Sequence, residues 1–140
     1  MSALVASSPV AGFMPAAVPG KVPFDRATAT YTYVLIRADL SLEQQLVQAV
    51  HAGMKAVHDH GRLCEDTRLA VLAVQDQAQL LDCAAELADA GVSFSLFEEP
   101  DYAMGASALA TAPGPALRLR CLKKLPLFRA SGSAGVGVRP

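Results

Sequence analysis

The chain has 140 residues, 52% of them hydrophobic and 18% charged, and a formal net charge of −1. That length fits one domain with room for a substantial core, and the composition excludes a chain disordered throughout. No apolar run reaches the roughly 18 residues that a membrane helix needs, so no membrane partner is expected.

Residues 1–27 are rich in Ala, Pro, Ser and Val without a period and lack the basic start of a secretory signal. They are expected to form a mobile arm ahead of an α/β domain over residues 28–129. Tyr, Val and Ile crowd between Tyr31 and Ile36, which predicts a first strand over about 30–37. The period then changes. Ser41 with Gln44 three residues on is a capping-box pattern and opens a helix over about 42–59, with Gly61 as its stop. Leu46, Val50, Gly53, Met54 and Val57 fall at helical spacing and are expected to face the core. Gln44, Gln48, His51, Lys55 and His58 then share the other face.

Arg68–Val74 is apolar almost throughout and reads as a second strand covered on both faces. Asp76 with Gln79 opens a second helix, whose expected buried stripe is Leu80, Leu81, Ala84, Leu87 and Ala88, and Gly91 closes it. Val92–Phe97 alternates as a third strand. Glu98-Glu99-Pro100-Asp101-Tyr102 is a charged turn, and Gly105–Ala112 is a fourth strand of small residues broken by Pro113-Gly114-Pro115. Leu117–Phe128 mixes apolar and basic residues and predicts a helical turn followed by a short extended segment. Residues 130–140 read as a flexible tail. The order β-α-β-α-β-β predicts a single-domain α/β sandwich with a small mixed four-stranded sheet.

Charge is unevenly spread. Residues 1–101 hold all 13 acids against 6 basic residues, whereas residues 102–140 hold 6 basic residues and no acid. A basic end on an acidic body points to a phosphate-bearing partner or to pairing between the two parts. Cys64, Cys83 and Cys121 are odd in number and lack metal spacing, which suggests reduced thiols in a cytoplasmic protein, with Cys83 a packing residue.

Three pieces of the chain, in order and spacing, resemble the class II peptidyl-tRNA hydrolases of archaea and eukaryotes. They are Val34-Leu-Ile-Arg37-Ala-Asp39-Leu40, then Gln48-Ala-Val-His51-Ala52, then Phe97-Glu98-Glu99 followed by Ser107-Ala-Leu-Ala-Thr-Ala-Pro113. The likeness spans roughly residues 31–128. The variants Gln44-Gln45-x-x-Gln48-x-x-His51 and Glu99-Pro100-Asp101 look like a bacterial and phage branch of that family. The resemblance implies hydrolysis of the ester between a peptide and the 3′ ribose of tRNA, with no metal and no cofactor. It places Glu99 where the family has an Asp and Ser107 where it has a Thr. The family's Lys near the start of the first helix has no counterpart, and Gln44 or Gln45 stands there instead.

The candidate catalytic residues are therefore His51, Glu99 and Ser107, with Arg37, Asp39, Gln44 and Gln48 as substrate-binding candidates and Lys123 and Lys124 as contacts to tRNA phosphates. Each has a plainer reading. His51 is a general base or ribose donor, or a histidine wedged between helix and sheet. Arg37 and Asp39 hold a phosphate, or only each other. Glu99 activates water, or is a carboxylate in a turn. Gln44 and Gln48 read a ribose or base edge, or lie on a solvated face. The expected partner is peptidyl-tRNA or another RNA. The alternatives are a non-catalytic tRNA- or nucleotide-binding module and a homodimeric adaptor.

Overall fold

Tyr31–Arg37 forms strand β1, and Leu42–His60 follows as helix α1. The helix starts at Ser41 because a capping box closes there. Ser41 Oγ accepts from Gln44 N–H at 3.2 Å, and Gln44 Oε1 accepts from Ser41 N–H at 3.1 Å. It ends at Gly61, whose φ of +84° few other residues adopt and whose N–H donates to Val57 O. Strand β2 (Arg68–Val74), helix α2 (Gln77–Asp89), strand β3 (Phe94–Glu99), a 3₁₀ turn (Asp101–Ala103), strand β4 (Gly105–Thr111) and a one-turn helix α3 (Arg120–Lys123) complete the order. The computed structural model describes residues 27–61 and 67–130. The arm expected over 1–27, the tail from 130 and Cys64 lie wholly or almost wholly outside them.

The strands make one mixed sheet in the order β2-β1-β4-β3. β1 pairs with β2 in parallel, and β4 runs antiparallel to both β1 and β3. The chain moves one way across the sheet from β1 to β2 and the other way from β2 to β3. Right-handed crossovers in opposite directions put their helices on opposite faces. α1 accordingly packs on β4, β3 and β1 from one side, and α2 packs on the other.

The two faces have different cores. Beneath α2 and α3, large residues interlock, among them Leu35, Leu72, Leu80, Leu87 and Leu109. Beneath α1 the core is made of small ones, Ala52 and Ala56 against Ala108 and Ala110, with Val34 and Ile36 beside them. Alanine against alanine lets α1 lie close to the sheet. Its far end is tied down by Ser95, whose hydroxyl donates to Asp59 Oδ2 at 2.6 Å and lies 3.0 Å from His60 Nε2. Lys55 completes the knot with a 3.0 Å pair to Asp59. Ser95→Ala is expected to cost about 1–2 kcal/mol of stability, read as a lower urea midpoint, because a buried hydroxyl and its charged acceptor lose one another.

Three expectations are corrected. First, the apolar stripe of α1 does not face the core. Leu46, Val50 and Met54 are 68%, 52% and 66% exposed and Val57 is exposed too, while Gln45, Gln48, Ala52 and Ala56 are the buried residues. The buried glutamines are tolerated because their amides are satisfied. Gln45 Nε2 donates to Leu40 O at 2.6 Å and to Ala38 O at 3.3 Å, closing the turn between β1 and α1. Second, α2 buries Leu80, Cys83, Ala84 and Leu87, while Leu81 and Ala88 are exposed. Third, β3 runs from 94 to 99 rather than from 92 to 97. Val92 N–H donates to Leu87 O and so belongs to the end of α2.

At the C-terminal side, α3 packs on α2, and Leu127 then pairs with Leu72 on the outer edge of β2. The Cys121 thiol is pushed up to about 12, first by burial and then by its neighbour Cys83, so it serves packing rather than nucleophilic chemistry.

Candidate active site

The site begins with an irregularity in the sheet. Phe97 pairs with Ala108, but Glu98 pairs with Ala106, which leaves Ser107 as an extra residue in β4. A strand normally alternates faces, and one inserted residue puts two neighbours on the same side. Ala106 and Leu109 belong to the α2 side and Ala108 and Ala110 to the α1 side, while Ser107 is turned toward α1. Its hydroxyl donates to Gln48 Oε1 at 2.7 Å, and Gln48 Nε2 donates to Glu99 Oε2 at 3.0 Å.

Chemistry fixes the direction of this chain. An ionised carboxylate only accepts, so the Gln48 amide must turn its NH₂ to Glu99 and its oxygen to Ser107. Ser107 must then donate. Both inner members are inaccessible, Ser107 at 0% and Gln48 at 3% exposure, and Glu99 stands at the outer end. Its other oxygen accepts from Asp101 N–H at 3.2 Å. The Gln48 donor, followed by the Asp101 amide and the nearby His51, holds the Glu99 carboxyl below its ordinary range. Glu99 is therefore an oriented carboxylate that stays ionised into acid.

Around it is a cavity of about 240 Å³ lined by Glu43, Gln44, Val47, Gln48, Glu99, Asp101, Tyr102 and Met104. Tyr102 and Ala103 both have left-handed backbone, with φ of 59° and 52°. Two consecutive non-glycine residues there are strained, and the surroundings must hold them. Glu99 takes the amide of Asp101, and Arg37 Nη1 donates to Met104 O at 2.7 Å. Gly105 follows at φ +66°, where a Cβ would meet Gln77 Oε1 at 3.1 Å. The result is a turn that presents the Tyr102 ring almost wholly to solvent, at 89% exposure, beside the cavity.

Four of the residues singled out from the sequence are thus brought together: Gln44, Gln48, Glu99 and Ser107. Ser107 is fully buried and reaches the cavity only through its hydrogen bond to Gln48. His51 adjoins the group without lining the cavity. Its ring meets Phe97 edge-on with centroids 4.6 Å apart, and its buried Nδ1 has no hydrogen-bond partner.

The others lie elsewhere. Arg37 is buried and donates through Nε and Nη2 to both Asp39 oxygens, at 2.9 and 2.8 Å, and through Nη1 to Met104 O and Ala106 O. Its charge is committed to the protein, so Arg37 and Asp39 hold one another. Lys123 and Lys124 are exposed at α3, on the opposite face of the sheet from α1. Tyr102, Glu43 and Asp101 were not singled out from the sequence. The aromatic residue stranded in a charged, proline-bearing turn was the available signal.

These elements define an open α/β protein with a mixed four-stranded sheet, helices on both faces and an acidic cleft at the bulge. Among the described residues no helix is long and apolar enough to cross a membrane. A protein of unknown function from Agrobacterium tumefaciens has a similar solved structure, with a TM-score of 0.56 and 16% identity over 71% of this chain and 98% of that one. At that identity the likeness shows the fold alone. No family model and no curated protein matches the chain.

Proposed function

We propose that this chain is a class II peptidyl-tRNA hydrolase-like protein of the cytoplasm, and that Glu99 is the base for ester hydrolysis. The observation that carries the reading is the hydrogen-bonded run Ser107–Gln48–Glu99, which links two positions where the resemblance implied catalytic groups. In this reading Glu99 takes a proton from water, and the hydroxide attacks the ester carbonyl. The tetrahedral adduct expels the ribose 3′ oxygen, which recovers the proton from Glu99. Tyr102 would stack the terminal base or ribose, as aromatic platforms do for single strands.

Release of peptide from a model peptidyl-tRNA by the purified protein is the test. Glu99→Gln is expected to lower the rate on the order of 10²-fold or more. The wild-type rate should fall only below the ordinary carboxylate range, since the Glu99 carboxyl is depressed. Equal release by the wild type and Glu99→Gln would sink the enzymatic reading.

One observation favours the rival, a binding module without turnover. Among the described residues the cavity carries Glu43, Glu99 and Asp101 and no Lys or Arg. Such a site repels phosphate and has no fixed cation for an oxyanion. Titration with tRNA at two salt concentrations separates the two: tight, salt-sensitive binding without peptide release supports the module.

A further inference from the structure

A second hollow lies apart from the acidic one. A groove of about 680 Å³ runs between α1 and β2, and its walls include Val34, Val50, Met54, Leu69 and Val71. Its origin is geometric. Four strands at about 4.8 Å spacing make a sheet nearly 20 Å wide, whereas one helix is about 10–12 Å across. The far face has α2 and α3 to cover it. Among the described residues the near face has only α1, over β4, β3 and β1, and Phe128 beside Val71, so the Leu69 end of β2 lies bare, against the expectation of a strand covered on both faces. Leu69 on β2 is 66% exposed as a result, and so is Met54 across from it.

Two details show that the groove lacks something. Thr32, on the groove wall, is 5% exposed, and its hydroxyl has no hydrogen-bond partner. A buried hydroxyl without a partner is costly. Gly53 lies in the middle of α1 facing the same groove, where a Cβ would meet nothing within 4 Å. Glycine inside a helix is less stable than alanine, and the packing described above does not require it. A close neighbour over Gly53 would.

We propose that residues 1–26 of this chain fill the groove as an extended segment. Residues 1–20 contain no charged side chain but hold Leu4, Val5, Val10, Phe13, Met14 and Val18. Such a segment is poorly suited to water and matched to a groove lined mainly by apolar residues. Pro9, Pro15, Pro19 and Pro23 oppose a helix and favour an extended chain. The chain also enters at the right place. Thr30 Oγ1 lies 3.1 Å from Thr67 Oγ1, Thr30 O accepts from Arg68 N–H, and Thr67 is on the groove's rim. A segment tethered there has an effective concentration in the millimolar range, which an untethered partner must match. Reach is ample. The 19-residue α1 is about 28 Å long, which about nine extended residues span. A backbone carbonyl of the segment would accept from Thr32.

The test is methyl and aromatic NMR on the full chain, with a mixed sample of labelled and unlabelled protein to separate contacts within one molecule from contacts between two. Contacts from Phe13, Met14 or Phe24 to Met54, Val50 or Leu69 within one molecule are expected. Amide exchange in residues 1–26 should be slowed on the order of tenfold or more. Met54→Asp, or Val50→Asp as a second variant, should abolish both. Leu81→Asp, an equal change on the α2 side, should abolish neither. Fast exchange throughout 1–26 with no such contacts overturns the proposal. So do contacts seen only between molecules with a dimeric mass, which would assign the groove to a second copy, and contacts that need added lipid vesicles.

Discussion

Arg37→Met is expected to lower the unfolding free energy by about 3 kcal/mol, seen as a lower urea midpoint at an unchanged slope. Arg37 is 9% exposed at the end of β1. Its guanidinium satisfies two buried carbonyls, Met104 O at 2.7 Å and Ala106 O at 3.0 Å, and both oxygens of Asp39. Methionine fills much of the space but leaves those carbonyls unpaired and Asp39 alone. Arg37→Lys should recover less than half of the loss, because an ammonium cannot make the two-pronged bond to Asp39 while reaching both carbonyls. The pair also sets a pH dependence. The hydrogen bond from Arg37 holds the Asp39 carboxyl below its ordinary value. Its contribution is complete above the unfolded carboxylate pKa and fades as pH falls through the lowered one. Arg37→Met should flatten that acid limb. A loss under about 1 kcal/mol would mean that the carbonyls find other donors. The consequence for function is indirect, since Arg37 steadies the strained turn that carries Tyr102.

The second large effect concerns Gln48. Gln48→Leu is expected to cost about 1–2 kcal/mol, because the fully buried Ser107 hydroxyl is left with only the longer bond to Phe97 O at 3.3 Å. The sharper expectation is a cycle. Ser107→Ala alone leaves the Gln48 oxygen unmatched and should cost about 1–2 kcal/mol. The double variant should cost less than the sum by about 1 kcal/mol, since removing both polar partners removes the unmet demand. Strict additivity would show that Gln48 and Ser107 do not act as a pair. The Glu99 carboxyl should also rise toward its ordinary range in Gln48→Leu, which NMR titration reads directly, because the Gln48 donor is the largest cause of its depression.

Both effects place the chemistry at one end of β1 and β4, where two short-range features meet. A one-residue insertion in β4 turns Ser107 toward α1, and an alanine-lined contact brings α1 near enough for Gln48 Oε1 to accept its hydrogen bond. Glu99 gains an orientation that a carboxylate in a turn does not have by residence alone.

Much of the layout was legible along the chain because its causes are local. Ser41 and Gln44 satisfy each other's backbone within one turn, Gly61 and Gly91 supply the positive φ at which helices stop, and the β-branched and aromatic residues of Tyr31–Ile36 crowd a single strand. The short terminal helix and the extended Leu127 also matched their composition. Gln48, Glu99 and Ser107 were drawn together at the level of sequence only by the family resemblance, not by any local period.

What was not legible depends on contacts distant in sequence. Helical spacing says that Leu46, Val50, Met54 and Val57 share a face, and it says equally that Gln45, Gln48, Ala52 and Ala56 do. Only the sheet decides which face turns inward, and here it accepts the small residues and pairs the glutamine amides with Leu40 O, Ser107 and Glu99. Alternation along β4 would have sent Ser107 away from α1, and the bulge against β3 reverses that. Arg37 sits in the matched motif but points to the other side of the sheet, where Met104 O and Ala106 O await it. Periodicity and capping act over a few residues and so are written in the order of the chain. The inward face of a helix, the aim of a bulged side chain and the commitment of a buried charge are settled by neighbours that only folding brings within reach.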